Sequence, residues 1–247
     1  MLTAHALDGL PEIATGADLA QLIAERAELR DGDVVVVAHK AASKAEGRVR
    51  RLDEVDPSDR ARTLAAEQGK DPRHVQVVLD ETRELLRAER GVLICVTHHG
   101  FVCANAGVDA SNAAAGTLVL LPADPDASAR ALRAGLRKLT GAAPAVLISD
   151  SFGRAWRHGQ TDVAIGAAGL APLEDWRGRH DSVGRELRAT WIAVADQLAA
   201  AADLSRSKDS RQPVVIVRGL ERHVLPADDD GPGAAELLRP ASEDLFR

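Results

Sequence analysis

Apolar and polar positions recur along this chain on two periods, and the period predicts each element. Over 17–29, ADLAQLIAERAEL, apolar side chains fall at Leu19, Leu22, Ile23 and Leu29, the spacing of an amphipathic helix. A turn at Asp31-Gly32-Asp33 leads into the run VVVVA at 34–38, which is β-branched and apolar throughout, as in a strand buried on both faces. The polar stretch SKAEGR at 43–48 reads as a loop after that strand. Residues 57–68 and 80–90 read as helices, and 91–96 as a second buried strand. From 97 to 112, small residues, glycines and polar groups mix without a period, which fits a site loop or an irregular strand.

Further along, 118–121 reads as a strand, and the sequence PADPD at 122–126 starts a helix running to about Leu139. A strand over 145–149 is expected to end at Asp150, and 153–169 is rich in glycine and polar groups. An alanine-rich helix over 190–204 and a late strand over 214–217 follow, and 221–247 reads as a surface tail with one short helix. No repeat and no low-complexity linker divides the chain. Strands and helices alternate irregularly, so an α+β fold of two interleaved lobes in one domain, 1–247, fits better than a doubly wound parallel sheet. Its sheets are expected to be mixed or antiparallel, with flanking helices.

Composition narrows the function. Of 247 residues, 45% are apolar and 28% charged, ordinary values for a globular protein. With three Phe, three Trp and no Tyr, the core must be aliphatic, and stacking on single-stranded nucleic acid is disfavoured. A net charge of −6 offers no overall positive field to nucleic acid or an anionic membrane, so any phosphate must be neutralised locally. The first residues lack the basic start and apolar stretch of a secretory signal, and no run approaches a membrane span. Cys95 and Cys103 are eight apart and could pair, although buried thiols are the commoner case among such apolar neighbours. The cytoplasm is the expected location.

The usual motifs are missing: there is no P-loop, dinucleotide fingerprint, CxxC pair, HExxH or G-x-S-x-G. What remains is acidic residues at strand ends. Asp109 lies in a glycine-rich loop, and Asp150 follows a buried strand beside Ser151. Such oxygens suit Mg²⁺ or Mn²⁺, although each Asp alone serves equally as a turn residue or helix cap. His98-His99 reads either as a metal or general-base pair or as packed rings. Arg154 and Arg157 offer bidentate forks for phosphate or carboxylate. Lys44 could meet a phosphate or belong to a solvated loop.

Ordered words along nearly the whole chain resemble one family, the F420-0:gamma-glutamyl ligases. They include Gly9-Leu10-Pro11, Gly32-Asp33-Val34, SKAEGR at 43–48, KDPR at 70–73 and HHGFVCANAGVDASN at 98–112. After these come DPDASAR at 124–130, SDSFGR at 149–154, Trp156-Arg157, GQTDVAIG at 159–166, and Arg177-Gly178 with Asp181. The resemblance implies a two-lobed α+β homodimer that joins L-glutamate to the terminal carboxylate of F420-0 through an acyl phosphate made from GTP. It also implies Mg²⁺ or Mn²⁺, two per site, with K⁺ as an optional further cation. By the same matching, Asp109 and Asp150 are catalytic metal ligands and Ser151 contributes to the second metal. Gly9, Leu10, Pro11, Glu12, His39, Lys44, Asn112, Ser207 and Lys208 line the nucleotide, and His98, Arg154 and Arg157 line the F420-0 or phosphate side. Some relatives carry a fused nitroreductase-like domain, for which 247 residues leave no room.

The departures from the family pattern fall mainly where the nucleotide is expected. A Met-Gly-Lys or Met-Gly-Gln turn usual in the family is replaced by LSRSKDS at 204–210, so Ser207 stands for a glycine and Lys208 for a metal-ligating Gln. Ser151 replaces a Thr, and His39 a nucleotide-contacting Ser. The alternatives these departures leave open are an amide ligase with another nucleotide or acceptor, and a paralogue that binds deazaflavin or nucleotide without turnover.

Overall fold

The valine run at 34–38 forms the spine of the molecule. In the computed structural model, which describes residues 1–245, it is strand β2 (Val34–Ala38), and its first four side chains are fully buried. Alternation along the pleat sends Val35 and Val37 into one apolar core and Val34 and Val36 into another. Each buried valine contributes about 1.5–3 kcal/mol, so the continuous apolar run is what allows helices to cover both faces.

Before it lie β1 (Thr3–Ala6) and the short helix α1 (Leu19–Ala24), whose start is capped by the Asp18 carboxylate. After it come α2 (His39–Ala45), β3 (Val49–Arg51), α3 (Asp59–Gln68) and α4 (Pro72–Asp80). Strands β4 (Thr82–Glu89), β5 (Val92–Thr97), β6 (Val102–Ala104) and β7 (Thr117–Val119) follow. Helix α5 (Pro125–Thr140) leads to the long hairpin β8 (Ala145–Arg154) and β9 (Arg157–Ala168). The chain continues with β10 (Leu173–Asp175), β11 (Trp191–Ala193), α6 (Val194–Asp203) and β12 (Val214–Arg218).

The main sheet has the order β1-β12-β2-β8-β9, with β2 and β8 its one parallel pair. Helices α1 and α5 pack one face, and α6 packs the other. A third core, around Val75, Leu93, Cys95 and Leu118, joins α3 and α4 to the β4-β5-β6 sheet and β7. The mixture of antiparallel sheets and flanking helices is the expected α+β class. No helix among the described residues is long and apolar enough to cross a membrane.

Several local expectations are corrected. Residues 80–90 form strand β4, not a helix; the helix lies one segment earlier, where Asp71 caps α4 and Pro72 opens it. The run TRELLRAE favours a helix by only tenths of a kcal/mol per residue, and pairing with β5 overrides that preference. The polar stretch after β2 is a loop only in its second half, 46–48, because α2 begins at once and takes in 43–45, with Lys44 in its last turn. Residues 153–169 are largely strand β9, in which Gly166 is required by contact rather than flexibility. A Cβ there would stand 2.3 Å from the Pro125 carbonyl at the start of α5. The helix expected over 190–204 gives up its first residues to β11. β1 was not foreseen, and the described part of the tail carries three short 3-10 turns, at Glu221–His223, Ala234–Leu237 and Ala241–Glu243, its last two residues lying outside those described. Both cysteines are free and buried, opposite one another on β5 and β6.

Candidate active site

The site residues gather where the parallel pairing of β2 and β8 ends, at Ala38 and Ser149; β2 stops there, whereas β8 runs past the expected end at Asp150 to Arg154 because β9 continues to pair with it. Open α/β sheets favour ligand crevices at the carboxyl ends of such strands. β2 passes directly into α2, which puts His39 and Lys40 at this edge. A register shift between Ile148 and Ser149 interrupts the β8–β9 ladder, and such bulges re-aim side chains. Beyond it, Ser151 stands opposite Asp162.

His39 is buried, and its Nε2 lies 3.2 Å from Asp150 Oδ1. The same carboxylate oxygen accepts the Ser151 amide at 2.8 Å. Burial works against ionisation of Asp150, but the charge and hydrogen bond of His39, the Ser151 amide and the charge of Lys40 hold its carboxyl below the usual range. His39 Nδ1 is buried without a hydrogen-bond partner among the described residues.

Lys40 reaches across to a different segment. Its Nζ lies 2.6 Å from Asp109 Oδ2 and donates to Ser111 Oγ at 2.5 Å. Asp109 itself is fixed by backbone pairing with Val119, and it accepts the Ser111 amide at 2.7 Å and the Ser111 hydroxyl at 2.9 Å. Burial again opposes ionisation, and Lys40 together with Ser111 outweighs it, so Asp109 also sits below the ordinary carboxylate range. Two ionised carboxylates from distant segments therefore flank one lysine.

A second cluster adjoins Asp150. Asp162 is 2% exposed and accepts Ser149 Oγ at 2.9 Å, Ser151 Oγ at 2.6 Å and Arg206 Nη2 at 2.8 Å. Lys208 Nζ donates to Ser151 Oγ at 2.5 Å. In this segment the left-handed residue is Arg211, with φ 56°, and not Ser207, so the serine standing for a glycine carries no strain of that kind. Ser207 donates to Asp209 at 2.6 Å.

At the far end of α2, Lys44 forms an ion pair with Glu12 and so ties the helix to the 9–12 loop. The Gly9 carbonyl accepts Arg26 Nε at 2.9 Å, and Leu10 packs on the first core. Pro11 and Glu12 are exposed, as is Asn112, which turns the chain after Ser111 with φ 54°.

Three expected substrate contacts stand outside this cluster. His98 Nε2 bonds the Asp80 carbonyl at 3.0 Å at the end of α4. Arg154 donates to the His158 carbonyl at 2.6 Å within its own hairpin, and Arg157 is exposed on the same hairpin. The neighbouring His99 faces inward, stacked on Phe101, whose ring meets Phe152 of β8.

Lys40, Asp162 and Arg206 are site residues that sequence reasoning missed. Asp162 has a signal: Ser149 and Ser151 share one face of a strand at a spacing of two, and a single carboxylate opposite would complete it. Asp109, Asp150 and Ser151 offer only hard oxygen donors, the chemistry of Mg²⁺ or Mn²⁺. Among the described residues no group of three His, Cys, Asp or Glu could hold a metal by itself.

A family model described as F420-0:Gamma-glutamyl ligase matches residues 9–219. The chain is 48% identical over 238 residues, 96% of this chain and 94% of the relative, to the coenzyme F420:L-glutamate ligase of Methanopyrus kandleri. It is 44% identical to the protein of that name from Archaeoglobus fulgidus (98% and 94% covered) and 43% identical to that from Methanothermobacter thermautotrophicus (98% and 97% covered). Identity of this order across the length of both partners, with the carboxylate words at 109 and 150 inside the matched span, shows that the chain belongs to the F420-0:gamma-glutamyl ligase family.

Proposed function

We propose that this protein is a ligase that forms an amide bond between L-glutamate and the terminal carboxylate of F420-0, using GTP and a divalent cation, Mg²⁺ or Mn²⁺. The observation that carries the reading is the pair Asp109 and Asp150, both held ionised beside Lys40 in a chain of this family. A carboxylate is a poor electrophile and must first be activated. An acceptor oxygen takes the γ-phosphoryl group as the bond to the GDP oxygen breaks. The amine of glutamate then attacks the acyl carbon, the C–O bond to phosphate breaks, and the nitrogen gives up a proton.

Neither step needs a covalent nucleophile on the protein; both need alignment and charge neutralisation. Asp109 and Asp150 would hold the cation, which when bound supplies positive charge to phosphate oxygens, and Ser151 stands beside them with its hydroxyl on Lys208. Lys40 offers a second, permanent charge between them. His39 and the Ser151 amide fix the direction of the Asp150 carboxylate, and Ser111 that of Asp109. Lys44 and the 9–12 loop, with Asn112 and the 204–210 segment, surround the nucleotide. The exposed arginines of the β8–β9 hairpin, Arg154 and Arg157, meet the anionic part of F420-0. We place the working form as a cytoplasmic homodimer, as the family resemblance implies.

A mass-spectrometric assay with protein, F420-0, L-glutamate, Mn²⁺ and either GTP or ATP tests this. A product heavier by one or more glutamyl units with GTP alone is expected, and Asp109→Asn and Asp150→Asn should each remove it while the chain stays folded. The same product with ATP would shift the nucleotide preference, with His39 and the 204–210 segment as the cause. No product with either nucleotide would reject the reading.

A further inference from the structure

The two ends of the site differ in charge, and the difference bears on how many metal ions the site takes. At the Asp109–Asp150 end, two carboxylates face a single permanent cation, Lys40. At the Ser151 end the balance is closed: Asp162 and Asp203 face Arg206 and Lys208. Lys208 Nζ sits 2.5 Å from Ser151 Oγ, 3.6 Å from Asp203 Oδ1 and 3.8 Å from Asp162 Oδ1. Three oxygens thus converge on one ammonium, from β8, β9 and the end of α6.

A dication at Ser151 would compete with that ammonium for the same hydroxyl and meet Arg206 behind it, Nη2 standing 2.8 Å from Asp162. Like charges gathered around one carboxylate repel more strongly where water is partly excluded. The Asp109–Asp150 end carries two carboxylates against one permanent cation, so its balance is less closed than that of the Ser151 end. Lys208 is also open to solvent on its outer side, 69% exposed, so a phosphate oxygen can reach it without moving it.

We infer that Lys208 is a built-in cation that takes the place of a second divalent ion, so that this chain binds one Mg²⁺ or Mn²⁺ per site, on Asp109 and Asp150. The inference rests on the metal-dependent reading above and sharpens it. It makes Lys208 a determinant of metal stoichiometry and a phosphate contact, where the family resemblance implies a metal ligand.

The test is a Mn²⁺ titration of the whole chain in the presence of GTP, without F420-0 or glutamate, reading free Mn²⁺ from its electron paramagnetic resonance signal. One bound Mn²⁺ per chain is expected for the unmodified protein and for Lys208→Arg, with no Mn–Mn coupling in the spectrum. Lys208→Gln, neutral and carrying a carbonyl oxygen, should bind two and show dipolar broadening. Two ions in the unmodified protein, or one in the Gln variant, would overturn the inference. No bound Mn²⁺ in any of the three would overturn the metal-dependent reading itself, which is a different result.

Discussion

The imidazole of His39 lies beneath the carboxylate of Asp150, Nε2 to Oδ1 at 3.2 Å, with only 3% of the histidine side chain exposed. On the proposed reading, a nucleotide would meet His39 through Asp150 rather than directly. The histidine would then act as a positioning residue that fixes the oxygen left to bind a cation. Partners of this kind are worth 10–100-fold in metal affinity. His39→Ala should weaken Mn²⁺ binding by about that factor, while KM for glutamate changes little. Unchanged Mn²⁺ affinity would reduce His39 to a core residue.

Lys40 holds Asp109 ionised against burial, so its removal has a signed effect on pH dependence. In Lys40→Met the Asp109 carboxyl titrates at a higher pH, and the acid limb of the rate profile moves upward. The stability term follows from the same shift. A carboxyl whose folded pKa lies below its ordinary 3.8 stabilises the fold above that value, and this contribution is lost as pH falls through the folded pKa. Thermal melts between pH 5 and pH 3 should therefore fall more steeply for the unmodified protein than for Asp109→Asn or Asp150→Asn. Parallel curves would contradict the linkage.

How far the sequence reached this site depends on which signal each residue carries. The β2 valines were legible because a double-sided strand leaves a continuous apolar run. Asp109, Asp150 and Ser151 stood out only as oxygen donors near strand ends until a family likeness singled them out, and the structure sets Asp150 and Ser151 side by side and brings the distant Asp109 near them through Lys40. Lys40 was hidden because the chain after β2 read as a loop, where a lysine has no fixed direction. Asp162 was hidden because the glycines at 153–169 masked a strand that Gly166 exists to let pass under Pro125. Likewise the helical preference of 80–90 is local, whereas the pairing with β5 that defeats it joins residues up to fifteen apart.

Arg133 anchors the chain's return across α5. It is 2% exposed and donates to the carbonyls of Pro144, Pro226 and Asp229 at 2.9–3.0 Å and to Asp230 Oδ1 at 2.7 Å. Removing one partner of a buried charged network costs about 3–5 kcal/mol, and the half-exposed Asp230 argues for the lower end. Arg133→Met should lose about 3 kcal/mol, roughly 6–12 °C in Tm for a chain of this size. Limited proteolysis should cut first within 225–230, the stretch that loses its donors. Cleavage elsewhere, or an unshifted melt, would contradict the anchor role.

Cys95 and Cys103 stand opposite each other on β5 and β6, and Cys103 lies close enough to the site for Asp150 to act on it. Burial, then the negative charge of Asp150 and the neighbouring Cys95, push the Cys103 thiol up to about 12. Burial also raises Cys95. The thiolate is the reactive form, so at pH 8 almost none of Cys103 can attack an electrophile. Native protein should resist iodoacetamide at both positions, with full labelling of two thiols in denaturant. The electrostatic part of this argument is separable from the steric part. In Asp150→Asn the carboxylate charge is gone while the packing is retained, so Cys103 should alkylate faster at pH 9 than in the unmodified protein, with Cys95 little changed. Equal rates at Cys103 in the two proteins would mean that burial alone protects it.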